Sequence, residues 1–263
     1  MSDDAGTLAG KAVLVMGGSA GIGLAVAEQL LQQGAQVMIN GRSAERGEQA
    51  LSRLRERFAN VGFVAGDGGD PSAAVHCVAA TVQRFGRLDV LVSAGAQGST
   101  TPTPFADMTP EQLRSGFESR FLPRVFAVHA AIPALGAAGG GAIVLVTTDA
   151  ARHPTPGESM IGAAGASLIL LTKALARELA RSAIRVNAVA LTLTSDTPSW
   201  ERIFSQPSFE NRLFSKALER FPSGRAPTAE EAARAVVFLA GAHASQITGQ
   251  TLSVNGGLSF GGW

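Results

Sequence analysis

The chain has 263 residues, 46% apolar and only 16% charged, a balance that excludes an intrinsically disordered protein and leaves ample material for a core. Its 22 basic and 21 acidic residues nearly cancel without forming blocks, so nothing points to nucleic acid as a partner. The single cysteine, Cys77, builds neither a disulfide framework nor a CxxC zinc site.

The acidic start Met1-Ser2-Asp3-Asp4 lacks the order of a signal peptide. No apolar run approaches the roughly 18 residues of a membrane span. The expectation is a cytoplasmic protein that engages no membrane.

In chain order, short apolar runs alternate with longer amphipathic stretches, the pattern of βαβ units around a parallel sheet. Ala12 to Met16 reads as a strand that stops at glycines. A helix over Ala25 to Gln33 ends at Gly34, a natural C-cap. Ala35 to Ile39 is a second strand, and Gly41-Arg42-Ser43 opens a charged helix reaching about Phe58. Val61 to Ala65 and Leu88 to Val92 are further strands, with a helix over Pro71 to Phe85 between them. A long helix over Thr109 to Leu135 contains Pro123, where a kink is expected. Ala142 to Val146 is a fifth strand, Gly162 to Arg181 an Ala/Leu-rich helix, Arg185 to Ala190 a sixth strand. Ala229 to Ala240 is helical, and Thr251 to Val254 is the last strand. The whole reads as a single doubly wound, Rossmann-like α/β domain over 1–263, its parallel sheet of about seven strands flanked by helices. The pattern fades only over 192–218, a candidate substrate lid at the carboxyl end of the sheet. Its aromatic residues Trp200, Phe204, Phe209 and Phe214 fit an apolar ligand as well as simple packing.

The strongest local motif, Gly17-Gly18-Ser19-Ala20-Gly21-Ile22-Gly23, lies between the first strand and the first helix. Glycines there let backbone N–H groups approach a phosphate at a helix N-terminus, where the dipole favours negative charge. Strand, glycine loop and helix in this order point to a dinucleotide.

From Gly10 to Gly257 the chain resembles the short-chain dehydrogenase/reductase family. Met16-Gly17-x-x-x-Gly21-Ile22-Gly23 stands for the family's TGxxxGIG loop. Asp67 sits where the family's adenine-contacting aspartate is found, and Ser93-Ala94-Gly95-Ala96 replaces Asn-Asn-Ala-Gly after the fourth strand. Pro222-Ser223-Gly224-Arg225, Ile247-Thr248-Gly249-Gln250 and Val254-Asn255-Gly256-Gly257 match the family's tail. The resemblance implies a nicotinamide cofactor held by Gly17, Ser19, Gly21, Ile22, Gly23, Asp67, Ser93, Gly95 and Thr197, the last being the family's downstream threonine. At the end of the second strand a carboxylate suits the ribose 2′-hydroxyl of NAD(H), whereas an arginine suits a 2′-phosphate. Here Asn40-Gly41-Arg42-Ser43 offers no carboxylate before Glu45, and a guanidinium pairs with phosphate in bidentate fashion. NADP(H) is therefore favoured, with Arg42 as its reader.

The family's chemistry uses a tyrosine, a lysine four residues on, a serine and an asparagine. This chain contains no tyrosine. Motif counting puts Ile161 at the tyrosine, Gly165 at the lysine, Arg120 at the asparagine and Thr148 at the serine, a replacement that keeps a hydroxyl. Lys173, two helical turns past Gly165, reads as structural. The stretch from Ile161 to Leu168 also resembles the enoyl-reductase branch, whose tyrosine lies seven residues before its lysine, and that count lands on Glu158. A carboxyl there becomes a general acid if desolvation raises its pKa, against the blander reading of a solvated loop carboxylate. Asp149 and His153 are further acid/base candidates. Leu191-Thr192 replace the family's Pro-Gly after the sixth strand, so the adenosine half of the site is better kept than the nicotinamide half.

Three functions follow. One is an NADP(H)-dependent oxidoreductase of atypical mechanism that reduces an activated C=C or C=O of an apolar small molecule, with Thr148 or Glu158 as polar partner. The second is a non-redox isomerase, dehydratase or cyclase on the same scaffold. The third is a catalytically inactive NADP-binding or partner subunit. The resemblance also implies a homo-oligomer, dimer or homotetramer, built on the helices at 109–135 and 162–181.

Overall fold

The computed structural model describes residues 8–95 and 101–260. The Met1–Asp4 start and Ala96 of the fourth-strand motif lie outside the described residues. Seven parallel strands form one sheet in the order β3-β2-β1-β4-β5-β6-β7. They are β1 (Ala12–Met16), β2 (Gln36–Gly41), β3 (Val61–Ala65), β4 (Val90–Ser93), β5 (Gly141–Thr148), β6 (Ile184–Leu191) and β7 (Thr251–Val254). The connecting helices are α1 (Gly21–Gln32), α2 (Ala44–Arg55), α3 (Pro71–Phe85), α4 (Pro110–Ala137), α5 (Ser159–Glu178), α6 (Pro198–Phe204), α7 (Phe209–Leu218) and α8 (Ala229–Ala240).

Alternation along β1 splits the core into two layers. Val13 and Val15 pack with α1, α2 and α8, while Leu14 and Met16 pack with α3, α4 and α5. The central strands β1 and β4 are therefore buried on both faces, as a parallel sheet between helices requires. Local chemistry sets the helix starts. Ser43 accepts a hydrogen bond from the Arg46 N–H at the head of α2. Thr109 with Gln112, and Thr228 with Glu231, form capping boxes at α4 and α8.

Two features differ from the sequence reading, while α4 runs across Pro123 as that reading had it. Helix α1 begins at Gly21, inside the glycine loop, because positive-φ residues Gly17 and Gly21 turn the chain into the helix without an intervening segment. The chain stays helical through both Pro123 and Pro133 of α4. Segment 192–218, where periodicity fades, holds the short helices α6 and α7. Their Ile203 packs with Leu193, Phe221 and Ala226, and Trp200, Phe204 and Phe214 border that satellite cluster. Against the expectation that no apolar run approaches a membrane span, α5 is long and apolar enough to cross one by length and composition. Here it lies instead on the sheet, with Leu168 and Ala176 in the core.

Candidate active site

The strand order reverses between β1 and β4, and crevices in doubly wound sheets open at the carboxyl ends beside such a reversal. A cavity of about 1060 Å³ lies there, lined from the glycine loop at one end to α6 and α7 at the other.

The loop end is shaped by close backbone approach. A Cβ on Gly17 would sit 2.3 Å from Gly95 Cα, and one on Gly23 would sit 2.1 Å from the Gly17 carbonyl oxygen. Neither position admits any side chain. The N-terminus of α1 has no capping side chain and no acidic residue in its first turn. An uncapped helix start on a glycine cradle fits a phosphate. Arg42 and Arg46, exposed and one helical turn apart, line the cavity where β2 ends and α2 begins. These donors fit a phosphorylated dinucleotide.

Of the cofactor candidates, Gly17, Ser19, Gly21, Ile22, Gly23, Arg42, Ser93, Gly95 and Thr197 all line this one cavity. Thr197 caps α6, accepting from the Trp200 N–H at 3.1 Å and donating to the Thr194 carbonyl at 3.0 Å. A Cβ on Gly21 would stand 3.6 Å from Thr197 Cβ, so the loop and α6 face each other across the opening. Asp67 is placed differently. Its carboxylate accepts from the Gly69 N–H at 2.8 Å and does not line the cavity, whereas its neighbours Gly66 and Gly68 do.

The other end gathers the acid/base candidates. Thr148 ends β5 and caps a short 3-10 turn by accepting from the Ala150 N–H at 3.2 Å, which leaves its hydroxyl hydrogen to donate. A Cβ on Gly165 would meet Thr148 Cγ2 at 2.7 Å, Ala151 Cβ at 2.9 Å and Thr147 Oγ1 at 3.2 Å. The threonine methyl thus occupies space that a side chain at 165 would need. Ile161, one turn earlier, is buried against the same cavity.

Glu158 stands at the head of α5 and lines the cavity. Burial pushes its carboxyl up to about 7, against the opposing pull of the Arg120 charge and a Thr155 hydrogen bond. At the turn after Thr155 Glu158 is half-buried and lines the cavity, which favours the acid reading over that of a solvated loop carboxylate. Asp149 is not a free acid/base. Buried at 5% exposure, it accepts from Ser253, Asn255 and Ser259, binding the start of the 3-10 turn to β7 and the tail. His153 lines the cavity, and its Nε2 has no hydrogen-bond partner among the described residues.

The structure adds residues that sequence reasoning passed over. Arg202 of α6 grips Glu210 of α7 in a bidentate pair at 2.5 and 3.0 Å, both lining the cavity. Arg124, one turn beyond Arg120 on α4, lines the cavity base. The only sequence signal for it was a second arginine four residues on, the spacing that shares a helix face.

Residues 17–259 match the family model described as enoyl-(acyl carrier protein) reductase. The chain is 32% identical to 3-oxoacyl-(acyl-carrier-protein) reductase FabG of Chlamydia pneumoniae, covering 97% of this chain and 99% of that one. It is 33% identical to a 2,3-dihydroxy-2,3-dihydro-p-cumate dehydrogenase of Pseudomonas putida over 98% and 97% of the two chains. Among solved structures, a short-chain oxidoreductase of Pseudomonas aeruginosa PAO1 with an atypical catalytic center superposes with a TM-score of 0.87 at 31% identity, covering 96% and 98%. L-sorbose reductase of Gluconobacter frateurii, solved with NADPH and L-sorbose, superposes with a TM-score of 0.86 at 29% identity over 97% and 98%.

Proposed function

We propose a function from the premise that this chain belongs to the short-chain dehydrogenase/reductase family and is an oxidoreductase of that type. Our reading is an NADPH-dependent reductase that acts on an activated C=C or C=O without the family's tyrosine and lysine. When bound, the dihydronicotinamide supplies the hydride. The glycine loop and the α1 N-terminus hold the pyrophosphate, and Arg42 with Arg46 takes the 2′-phosphate. The NADPH in the sorbose reductase supports this choice of nucleotide.

The observation that carries the reading is Glu158, a cavity-lining carboxyl held near 7 by burial. A carboxyl with that pKa is partly protonated at neutral pH and can deliver a proton to the reduced substrate. Arg120, whose charge acts on Glu158, stabilises the carboxylate left behind. Thr148 donates its hydroxyl hydrogen to the carbonyl oxygen and polarises it. Ile161 and Gly165 offer no proton, and Gly165 has no room for a lysine while Thr148 keeps its methyl. Helices α6 and α7 serve as the lid, in a protein that assembles as a homo-oligomer through faces such as the one around Leu170, 69% exposed on α5.

The deciding experiment mixes the protein with NADPH and a panel of enones and ketones and follows cofactor absorbance. Oxidation that disappears in Glu158→Gln, with NADPH affinity kept, is the expected result. Substrate turnover with no NADPH consumed would identify a non-redox enzyme instead. A protein that binds no nucleotide would end the proposal.

A further inference from the structure

Resting on the reading of the cavity as a substrate site, we infer that it seats the carboxylate of an otherwise apolar substrate on the guanidinium of Arg124. Arg124 is 5% exposed. Its Nε donates to the Val146 carbonyl at 2.8 Å and its Nη1 to the Arg120 carbonyl at 2.7 Å, both neutral acceptors. Nη2 has no hydrogen-bond partner among the described residues, and Arg124 lines the cavity.

A buried guanidinium is costly unless a negative charge answers it. No carboxylate among the described residues pairs with Arg124, and the charge bearing on it is that of Arg120, of the same sign. Together with burial this pushes its pKa down to about 10, which leaves it cationic at neutral pH. The cavity's own carboxylates are committed elsewhere. Glu210 is held by Arg202, Asp149 by the tail, and Glu158 faces Arg120. Lys216 of α7 and Arg220 just beyond it are two exposed cations that line the cavity, whereas Trp200 and Phe214 supply apolar wall. On a chain with a formal net charge of only +1, this concentration draws in an anion, and Arg124 has its Nη2 hydrogens left to donate to a carboxylate.

The competing role for Arg124 is a strut between α4 and β5, which its two carbonyl bonds already provide. Calorimetric titration with cinnamate and with its neutral counterpart cinnamamide, in the presence of NADPH, separates the two. Cinnamate should bind at least about tenfold more tightly than the amide, as expected for a charge-assisted hydrogen bond. That preference should vanish in Arg124→Met and survive in part in Arg124→Lys, with NADPH affinity unchanged in both. Equal binding of the two probes to the wild-type protein, binding of neither included, would overturn the assignment. So would a preference that persists in Arg124→Met, or an Arg124→Met protein that loses NADPH instead. If Arg124→Met fails to fold, the wild-type pair of titrations still decides. Because heat of binding is read rather than turnover, a protein that prefers cinnamate yet oxidises no NADPH would sink the redox reading and leave the carboxylate seat standing.

Discussion

The two ends of the cavity are built by opposite means. At the glycine-loop end the walls are backbone, held so close that added methyl groups at Gly17 and Gly23 would overlap main-chain atoms. At the α4–α5 end the walls are side chains, and charge decides their behaviour, with Arg120, Arg124 and Glu158 brought together from two helices. A backbone cradle tolerates almost no substitution, because its shape is the function. A side-chain site can exchange its members if the new groups still answer one another in size and charge. Thr148 and Gly165 illustrate the second case, since the methyl of one fills the space the other leaves open.

That contrast can be broken at several points. The largest effect belongs to the cradle. Gly23→Ala puts a Cβ 2.1 Å from the Gly17 carbonyl, so NADPH affinity should fall by at least about 100-fold, with a lowered melting temperature. Calorimetry that finds intact binding would show that the loop does not hold the nucleotide.

Glu158→Gln should come next, lowering the reduction rate by roughly 10²–10³ with KM little changed. In the wild-type protein kcat/KM should fall as pH rises through about 7, the value to which burial lifts Glu158. The variant's profile should be flat there. Stability moves in a defined sense too. The folded carboxyl keeps its proton up to about 7, whereas the unfolded one loses it near 4.5, so this group costs stability as pH climbs between those values. Glu158→Gln should therefore raise stability by about 1–3 kcal/mol above pH 7 and give no such gain below 4.5. Parallel denaturation curves at both pH values would refute the burial of Glu158.

Arg42→Ala should weaken NADPH by roughly tenfold to 100-fold and leave NADH unchanged, the signature of a lost phosphate contact. The smallest and most specific effect lies at the exchanged pair. Gly165→Ala should destabilise by about 1–3 kcal/mol through overpacking. Thr148→Ser in the same chain should recover part of that loss, because Thr148 Cγ2 is the nearest clash while Ala151 Cβ at 2.9 Å remains. A double-mutant cycle without coupling would separate the two positions.

The sequence by itself determined the scaffold and the phosphate end. Strands β1, β3 and β7 and helices α3 and α8 follow from apolar runs and cap residues at their predicted bounds. The glycine loop is likewise legible because its chemistry is local, a turn and a helix start within seven residues. Even the missing tyrosine is a matter of composition. Only the tertiary structure decided which side chains gather at the other end of the cavity. The protonation of Glu158 depends, besides burial, on the charges of Arg120, 38 residues earlier, and of the α7 carboxylate Glu210, 52 residues later. Whether Arg124 faces solvent or the cavity depends on how α4 lies against β5, where Val146 accepts its Nε. Local propensities fix backbone conformation, but the charge a side chain carries and the partner it meets are set by dielectric and distance. Those are properties of the packed fold and of no single stretch of sequence.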